Sequence, residues 1–73
     1  MVRALTVLQN GDLASGSNDL AIKIWNPING TLKRTLNGHT SYVLALTVLQ
    51  NGDLASGSFD NTIKIWSTKS NLI

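Results

Sequence analysis

The sequence lacks cysteine altogether, and it contains only one histidine and four carboxylates among its 73 residues. The absence of cysteine excludes disulfides and thiolate metal sites, and so few other ligands make a structural metal unexpected. A chain of this length buries only roughly 60% of the surface that its unfolded form exposes. Chains this small usually need an additional source of stability, namely disulfides, a metal or partners. We therefore expect stability to come from partner chains or from a longer parent chain.

Charge is also scarce, since charged residues make up 14% of the chain and the formal net charge is only +2. The basic residues are scattered, and only Lys33 and Arg34 are adjacent, whereas nucleic-acid binding needs a clustered basic face. No apolar run approaches the ~20 residues of a membrane span. We therefore expect no nucleic acid and no membrane partner. The absence of a visible secretory leader and of cysteine predicts a cytoplasmic location.

The chain is an internal repeat. Residues 4–17 recur unchanged at 45–58, an offset of 41 residues. Between 2–25 and 43–66, 20 of 24 aligned positions are identical, and the four differing pairs are Arg3/Leu44, Asn18/Phe59, Leu20/Asn61 and Ala21/Thr62. A period near 40 predicts stacked supersecondary units. The predicted units are 1–41 and 42–73, the second lacking most of its fourth strand, as expected of a fragment of a longer array.

Turn signals predict short antiparallel strands and an all-β fold. Asn10-Gly11 and Asn51-Gly52 predict hairpin turns in which both residues take positive φ. The predicted strands are about 2–9, 12–17, 21–25, 31–36, 43–50, 53–58 and 62–66. The almost wholly apolar run 43–49 predicts a sheet covered on both faces. With only two sheets, however, the outer faces of the array would be bare. Gly16 and Gly57 inside strands predict a close approach between sheets.

Four motifs distinguish the repeat, namely Gly38-His39, the LASGS segment 54–58, Asp60 in a turn, and the IKIW segment 63–66. Together with the period they resemble the WD40-repeat family of β-propellers, over nearly the whole chain. The resemblance implies blades of four antiparallel strands that close radially. One departure is that Asn26 and Ser67 follow the two tryptophans, where the family usually has aspartate.

The resemblance also implies a structural hydrogen-bond network. In it Trp66 donates to Ser56, Ser56 contacts His39, and His39 reaches Asp60. A Ser-His-Asp set can also be a nucleophilic triad, but catalysis needs an oxyanion hole and an open cleft, for which no motif is present. We therefore expect no enzyme and no cofactor or metal. The corresponding residues of the first repeat are Ser15, Asp19 and Trp25, without a preceding histidine.

Some of the positions that differ between the repeats, together with Tyr42 two residues before Leu44, are the candidates for partner contacts. By resemblance they lie on one face of the propeller, and the set is Phe59, Asn18, Tyr42, Leu44 and Arg3. Phe59 stands out because aromatic residues are enriched at interface hot spots. The alternative is that Phe59 covers a neighbouring blade.

Three function classes remain open. The first is a non-enzymatic, self-assembling protein-interaction scaffold, in which four copies would supply eight blades and three copies six, with the tetramer favoured. Its partners are copies of itself and other proteins. The second is an engineered or excised propeller fragment with no independent function. The third is a ligand-binding protein or enzyme that uses a central channel, which no residue pattern supports.

Overall fold

The computed structural model describes residues 2–67, which form two antiparallel sheets. The strands are β1 (Val2–Val7), β2 (Leu13–Ser17), β3 (Ile22–Trp25), β4 (Leu32–Leu36), β5 (Val43–Val48), β6 (Leu54–Ser58) and β7 (Ile63–Trp66). The first sheet has the order β1-β2-β3-β4 and the second the order β5-β6-β7. The predicted all-β fold and strand order are confirmed. The predicted boundary between residues 41 and 42 falls between β4 and β5, and residues 68–73 of the second unit lie outside the described residues.

The Asn-Gly turns form hairpins, but the expectation that both turn residues have positive φ is wrong. Gly11 has φ 92° and Gly52 has φ 93°, whereas neither asparagine is left-handed. The amide of Gly11 donates to the Leu8 carbonyl at 2.9 Å, and Leu8 donates to the Asp12 carbonyl at 2.7 Å. This is a three-residue loop with a glycine bulge. The Asn10 side chain accepts from the Asp12 amide at 2.9 Å, which holds the asparagine in an Asx turn.

The hydrophobic core lies between the two sheets. The first sheet and its turn contribute Leu8, Ala14, Ile22 and Ile24, and the second sheet contributes Val43 and Leu54. A register shift near the start of β1 and another near the start of β5 keep the two sheets equivalent in their pairing. Each fully buried aliphatic side chain contributes about 1.5–3 kcal/mol, so this interface is the main source of stability in the described residues.

Gly16 marks the closest approach of the two sheets. A Cβ built on Gly16 would lie 2.5 Å from Cγ1 of Val43, which no side chain tolerates without movement. At Gly57, in contrast, the nearest atom to such a Cβ is 3.9 Å away, on Ala45 of the same sheet. Close approach thus explains the first glycine, but not the second within residues 2–67.

Only one face of β5 is covered within residues 2–67. Along β5, half-buried residues alternate with the exposed residues Ala45 and Thr47. The first sheet covers one face of β5, and among residues 2–67 no third sheet covers the other. Bare outer faces are what a two-sheet chain was expected to have. No helix in this part of the chain is long and apolar enough to cross a membrane.

Candidate functional site

The second sheet brings His39, Ser56, Asp60 and Trp66 together. Nδ1 of His39 lies 2.9 Å from an Asp60 oxygen, and Nε2 lies 2.6 Å from Oγ of Ser56. The indole N–H of Trp66 donates to the same Oγ at 2.8 Å. Because a carboxylate only accepts, Nδ1 donates to Asp60, and in the neutral ring Nε2 accepts the Ser56 proton. The contacts that the resemblance implied are therefore all present.

Asp60 is also held by the loop and by its own turn. The amide of Thr40 donates to one carboxylate oxygen at 3.0 Å, and the amide of Thr62 donates to the other at 2.9 Å. The hydroxyl of Thr62 makes a short hydrogen bond to the same oxygen as its amide. The Thr62 hydroxyl, and after it the Thr40 amide, hold the pKa of the Asp60 carboxyl well below its usual range. Neither threonine was predicted from the sequence as a partner of Asp60, although an Asp-x-Thr turn is a recognisable Asx signal.

The first sheet carries only part of this network. The indole of Trp25 donates to Ser15 at 2.9 Å, as Trp66 does to Ser56. Asp19, however, accepts from the Ser17 hydroxyl at 2.6 Å and pairs with Lys23 at 3.2 Å. These partners, Ser17 first, lower the pKa of Asp19. With no histidine between them, Asp19 and Ser15 are not linked among the described residues.

Burial of Ser56 limits its use as a nucleophile. Its side chain is buried, and its oxygen accepts from Trp66 while it lies against His39. The order of atoms matches a nucleophilic triad, but an attacking oxygen must reach a substrate carbonyl. Trp66 also packs edge-on to the His39 ring, with centroids 6.3 Å apart. The arrangement satisfies desolvated polar groups and rigidifies the second sheet. No cluster of metal-ligating residues occurs within residues 2–67.

A second cluster, which we call the rim patch, joins the two sheets at one end and consists of Arg3, Asn18, Tyr42 and Phe59. Nε of Arg3 donates to the Asn18 side chain, and the guanidinium lies 5.1 Å from the Tyr42 ring centroid. The Tyr42 and Phe59 rings are 6.0 Å apart, and the Phe59 amide donates to the Tyr42 carbonyl at 3.1 Å. Phe59 remains 61% exposed. The fifth candidate, Leu44, is half-buried on β5.

A lysine that links β4 to the turn between β1 and β2 was not predicted from the sequence. Nζ of Lys33 on β4 lies 2.7 Å from the largely buried carboxylate of Asp12, in the turn between β1 and β2. The two residues are 21 positions apart, so no local spacing signals the pair.

Known proteins share both the sequence pattern and the fold. The family described as "WD domain, G-beta repeat" matches residues 1–26 and 30–67. The nuclear distribution protein nudF 2 of Penicillium rubens is 58% identical over 31 residues, which cover 42% of this chain and 7% of that protein. The chain therefore spans a small part of that relative.

Solved structures extend the likeness to almost the whole chain. The WD40 β-propeller domain of Doa1 superimposes with a TM-score of 0.86 and 31% identity, over 97% of this chain and 24% of that one. The computationally designed proteins Ika4 and Ika8 give TM-scores of 0.75 and 0.76, both at 38% identity over 89% of this chain. This chain covers 39% of Ika4 and 20% of Ika8. With its repeat, its two sheets and these matches, the chain belongs to the WD40-repeat family of β-propellers and comprises about two blades.

Proposed function

We propose that this chain is a non-enzymatic, self-assembling protein-interaction scaffold. In the assembly, the second sheet of one copy stacks on the first sheet of the next copy, and the head-to-tail array closes into a ring. WD40 propellers generally mediate protein interactions and are generally not enzymes. We expect four copies rather than three, and the alternative is an excised or engineered fragment without an independent function.

The main observation behind the proposal is that the two IKIW segments differ in how much of their isoleucine side chains is exposed. Ile22 is 0% exposed and Ile24 is 3% exposed, because the second sheet covers them. The identical residues of the second sheet, Ile63 and Ile65, are 76% and 57% exposed. With Ala55 and Gly57 they form an apolar surface, here called the back face. Its residue types are the same as those of the first-sheet surface that covers Val43 within the chain.

The first sheet has the matching surface. Val2, Leu5 and Val7 are all exposed on β1, and we call this surface the front face. Their counterparts 41 residues later are Val43, which is fully buried, and Leu46 and Val48, which pack on the core. The front face of one copy therefore has the same residue types as the surface of the second sheet that packs against the first sheet within each chain.

This complementarity makes the expected contact heterologous, since two different surfaces of the chain meet. Such a contact propagates head to tail and gives a ring when the rotation closes, or a filament when it does not. An exposed apolar patch of this kind is otherwise an aggregation hazard. The sheet-on-sheet interface within the chain shows the geometry that each contact between copies would copy.

The second part of the proposal is that the rim patch binds other proteins. Phe59 is exposed beside a turn, and Arg3 and Tyr42 are already ordered against each other, so little side-chain entropy is lost on binding. We expect Phe59→Ala to reduce the set of proteins captured from a lysate without changing the mass of the scaffold itself. An unchanged set would count against the rim patch.

The decisive experiment on assembly is a mixing test. Leu5→Arg blocks the front face and Ile63→Arg blocks the back face, and both positions are exposed in the single chain, so each variant should fold. We expect the unmodified chain to give one species of about four chain masses by light scattering. Each variant alone should be a monomer, and an equimolar mixture should give a heterodimer through the two intact faces.

Ile28→Arg is the matched control, because Ile28 is 94% exposed in the loop between β3 and β4 and lies on neither face. It should assemble like the unmodified chain. A monomeric unmodified chain with dispersed amide signals would overturn the proposal in favour of an excised fragment. Variants that remain oligomeric alone would show that copies meet through other surfaces.

A further inference from the structure

We propose that Asn37 is a site of spontaneous covalent modification, where deamidation through a cyclic imide loosens the polar network of the second sheet. The chain contains four Asn-Gly pairs, at residues 10–11, 29–30, 37–38 and 51–52. Asparagine is a thermolabile residue, and a following glycine favours the reaction because it has no Cβ to hinder its amide nitrogen. The hydrogen bonds at the four pairs differ, so the folded chain discriminates between them. The inference does not depend on self-assembly.

The reaction has two steps and consumes only water. The Gly38 nitrogen gives up its proton to solvent and attacks Cγ of Asn37, the bond from Cγ to the side-chain nitrogen breaks, and ammonia leaves with a proton from solvent. Water then opens the five-membered imide at one of its two carbonyls. Opening at the main-chain carbonyl leaves isoaspartate, whose Cβ is part of the main chain, and opening at the side-chain carbonyl leaves aspartate.

The reacting groups of the two hairpin turns are tied by hydrogen bonds. The Asn10 side-chain oxygen accepts from the Asp12 amide at 2.9 Å, and its nitrogen donates to the Asp12 carboxylate at 3.1 Å. The attacking nitrogen, that of Gly11, donates to the Leu8 carbonyl at 2.9 Å. The turn at residues 51–52 repeats these three bonds. Cyclisation at either turn therefore requires that the turn open first.

The pair at residues 29–30 is held in a similar way. The Asn29 side-chain oxygen accepts from the Thr31 amide at 3.1 Å and from the Thr31 hydroxyl at 2.8 Å. The Gly30 amide donates to the Asn26 carbonyl at 2.8 Å. This turn must also open before its asparagine can react.

Asn37 differs from the other three asparagines. It is exposed, in the loop between β4 and β5. Its side chain makes no hydrogen bond to any other residue of 2–67, and in the same part of the chain the Gly38 amide takes part in no turn hydrogen bond. The nitrogen and Cγ can therefore approach each other without the loss of a hydrogen bond, and this pair should react first.

The modified position directly precedes the residues that attach the loop to the polar network. Gly38 packs on Trp66, since a Cβ on the glycine would lie 3.1 Å from the indole ring. The side chain of His39 is only 1% exposed and contacts Ser56 and Asp60. Isoaspartate adds one methylene to the main chain at this point, which displaces His39 from its partners and leaves buried polar groups unpaired. Either product also lowers the formal net charge from +2 to +1.

The first test follows the folded 73-residue chain at pH 8 by peptide mass spectrometry, with electron-transfer fragmentation to distinguish aspartate from isoaspartate. We expect residue 37 to react at least about tenfold faster than the other three sites, a factor that corresponds to about 1.4 kcal/mol of barrier. In urea, where the turn hydrogen bonds are lost, the four rates should become similar. Equal rates in the folded chain, or a faster reaction at another site, would overturn the proposal.

The second test measures the consequence by amide exchange of β6 and β7. The aged chain should lose protection there, whereas aged Asn37→Gln should keep it, because glutamine would have to close a less favourable six-membered ring. Fresh Asn37→Asp is the matched control for charge and should also keep its protection. Unchanged protection in the aged chain, or an equal loss in aged Asn37→Gln, would overturn the link to the network. An equal loss in fresh Asn37→Asp would overturn the role of the added methylene.

Discussion

Val43 packs so tightly against the backbone of Gly16 that a Cβ on Gly16 would lie 2.5 Å from Cγ1 and 2.9 Å from Cβ of the valine. The contact joins β2 of the first sheet to β5 of the second. Since Val43 is fully buried, it cannot move into solvent to relieve an overlap. The glycine is therefore a requirement of blade stacking and not of the strand itself.

Gly16→Ala should destabilise the chain by about 1–3 kcal/mol, the usual range for overpacking a core. Gly57→Ala, at the same point of the repeat, should change the free energy of unfolding by less than about 0.5 kcal/mol, because its Cβ would meet only Ala45 at 3.9 Å. Urea denaturation of the dilute chain measures both. Equal effects would contradict the close approach at Gly16.

Ser56→Ala and Ser15→Ala form a second matched pair. Ser56→Ala removes the acceptor of Trp66 and the hydroxyl beside His39, so it should cost about 2–3 kcal/mol. Ser15→Ala removes only the acceptor of Trp25 and should cost about 1 kcal/mol. Thermal and urea unfolding would give the difference. If the two costs were equal, the link through His39 would contribute nothing to stability.

Leu20→Asn should stabilise the chain. Leu20 has φ 75° and its counterpart Asn61 has φ 68°, a left-handed conformation that disfavours leucine and suits asparagine. We expect a gain of about 0.5–1 kcal/mol from relief of strain, since Leu20 is exposed and its replacement loses little buried apolar surface. The reverse change, Asn61→Leu, should lose a similar amount. Denaturation midpoints for both variants provide the measurement, and a loss in Leu20→Asn would contradict the strain.

The depressed pKa of Asp60 predicts a specific pH dependence of stability. The unfolded chain takes up a proton near the ordinary pKa of aspartate, about 4, before the folded chain does. The contribution of the Asp60 carboxylate to the free energy of unfolding is therefore complete above about pH 4. It is lost as the pH falls towards the lower pKa of the folded chain. Asp60→Asn should be less stable than the unmodified chain at pH 7, and the gap should narrow below pH 4. Urea unfolding from pH 7 to pH 2.5 tests this, and a gap independent of pH would contradict it.

Much of the fold follows from the sequence for a local reason, whereas the network, which joins His39 to Asp60 over 21 positions, was implied by the family pattern. Turn residues and β-branched runs set the strands, and the repeat of 41 residues set their order. The side chains of His39, Ser56, Asp60 and Trp66 meet as the family pattern implied. The turns were less predictable, because the Asn10 side chain bonds to the backbone and leaves the positive φ to Gly11 alone.

Only the tertiary structure decided which of two identical residues is core and which is surface. Ile22 and Ile63 occupy the same place in the same IKIW segment, yet one is fully buried and the other largely exposed. Gly16 and Gly57 differ in the same way. The sequence by itself determined the strands and turns of each blade, since these depend on neighbours along one repeat. Burial of a sheet face depends on what stacks against it, and that is set by the position of the blade in the array.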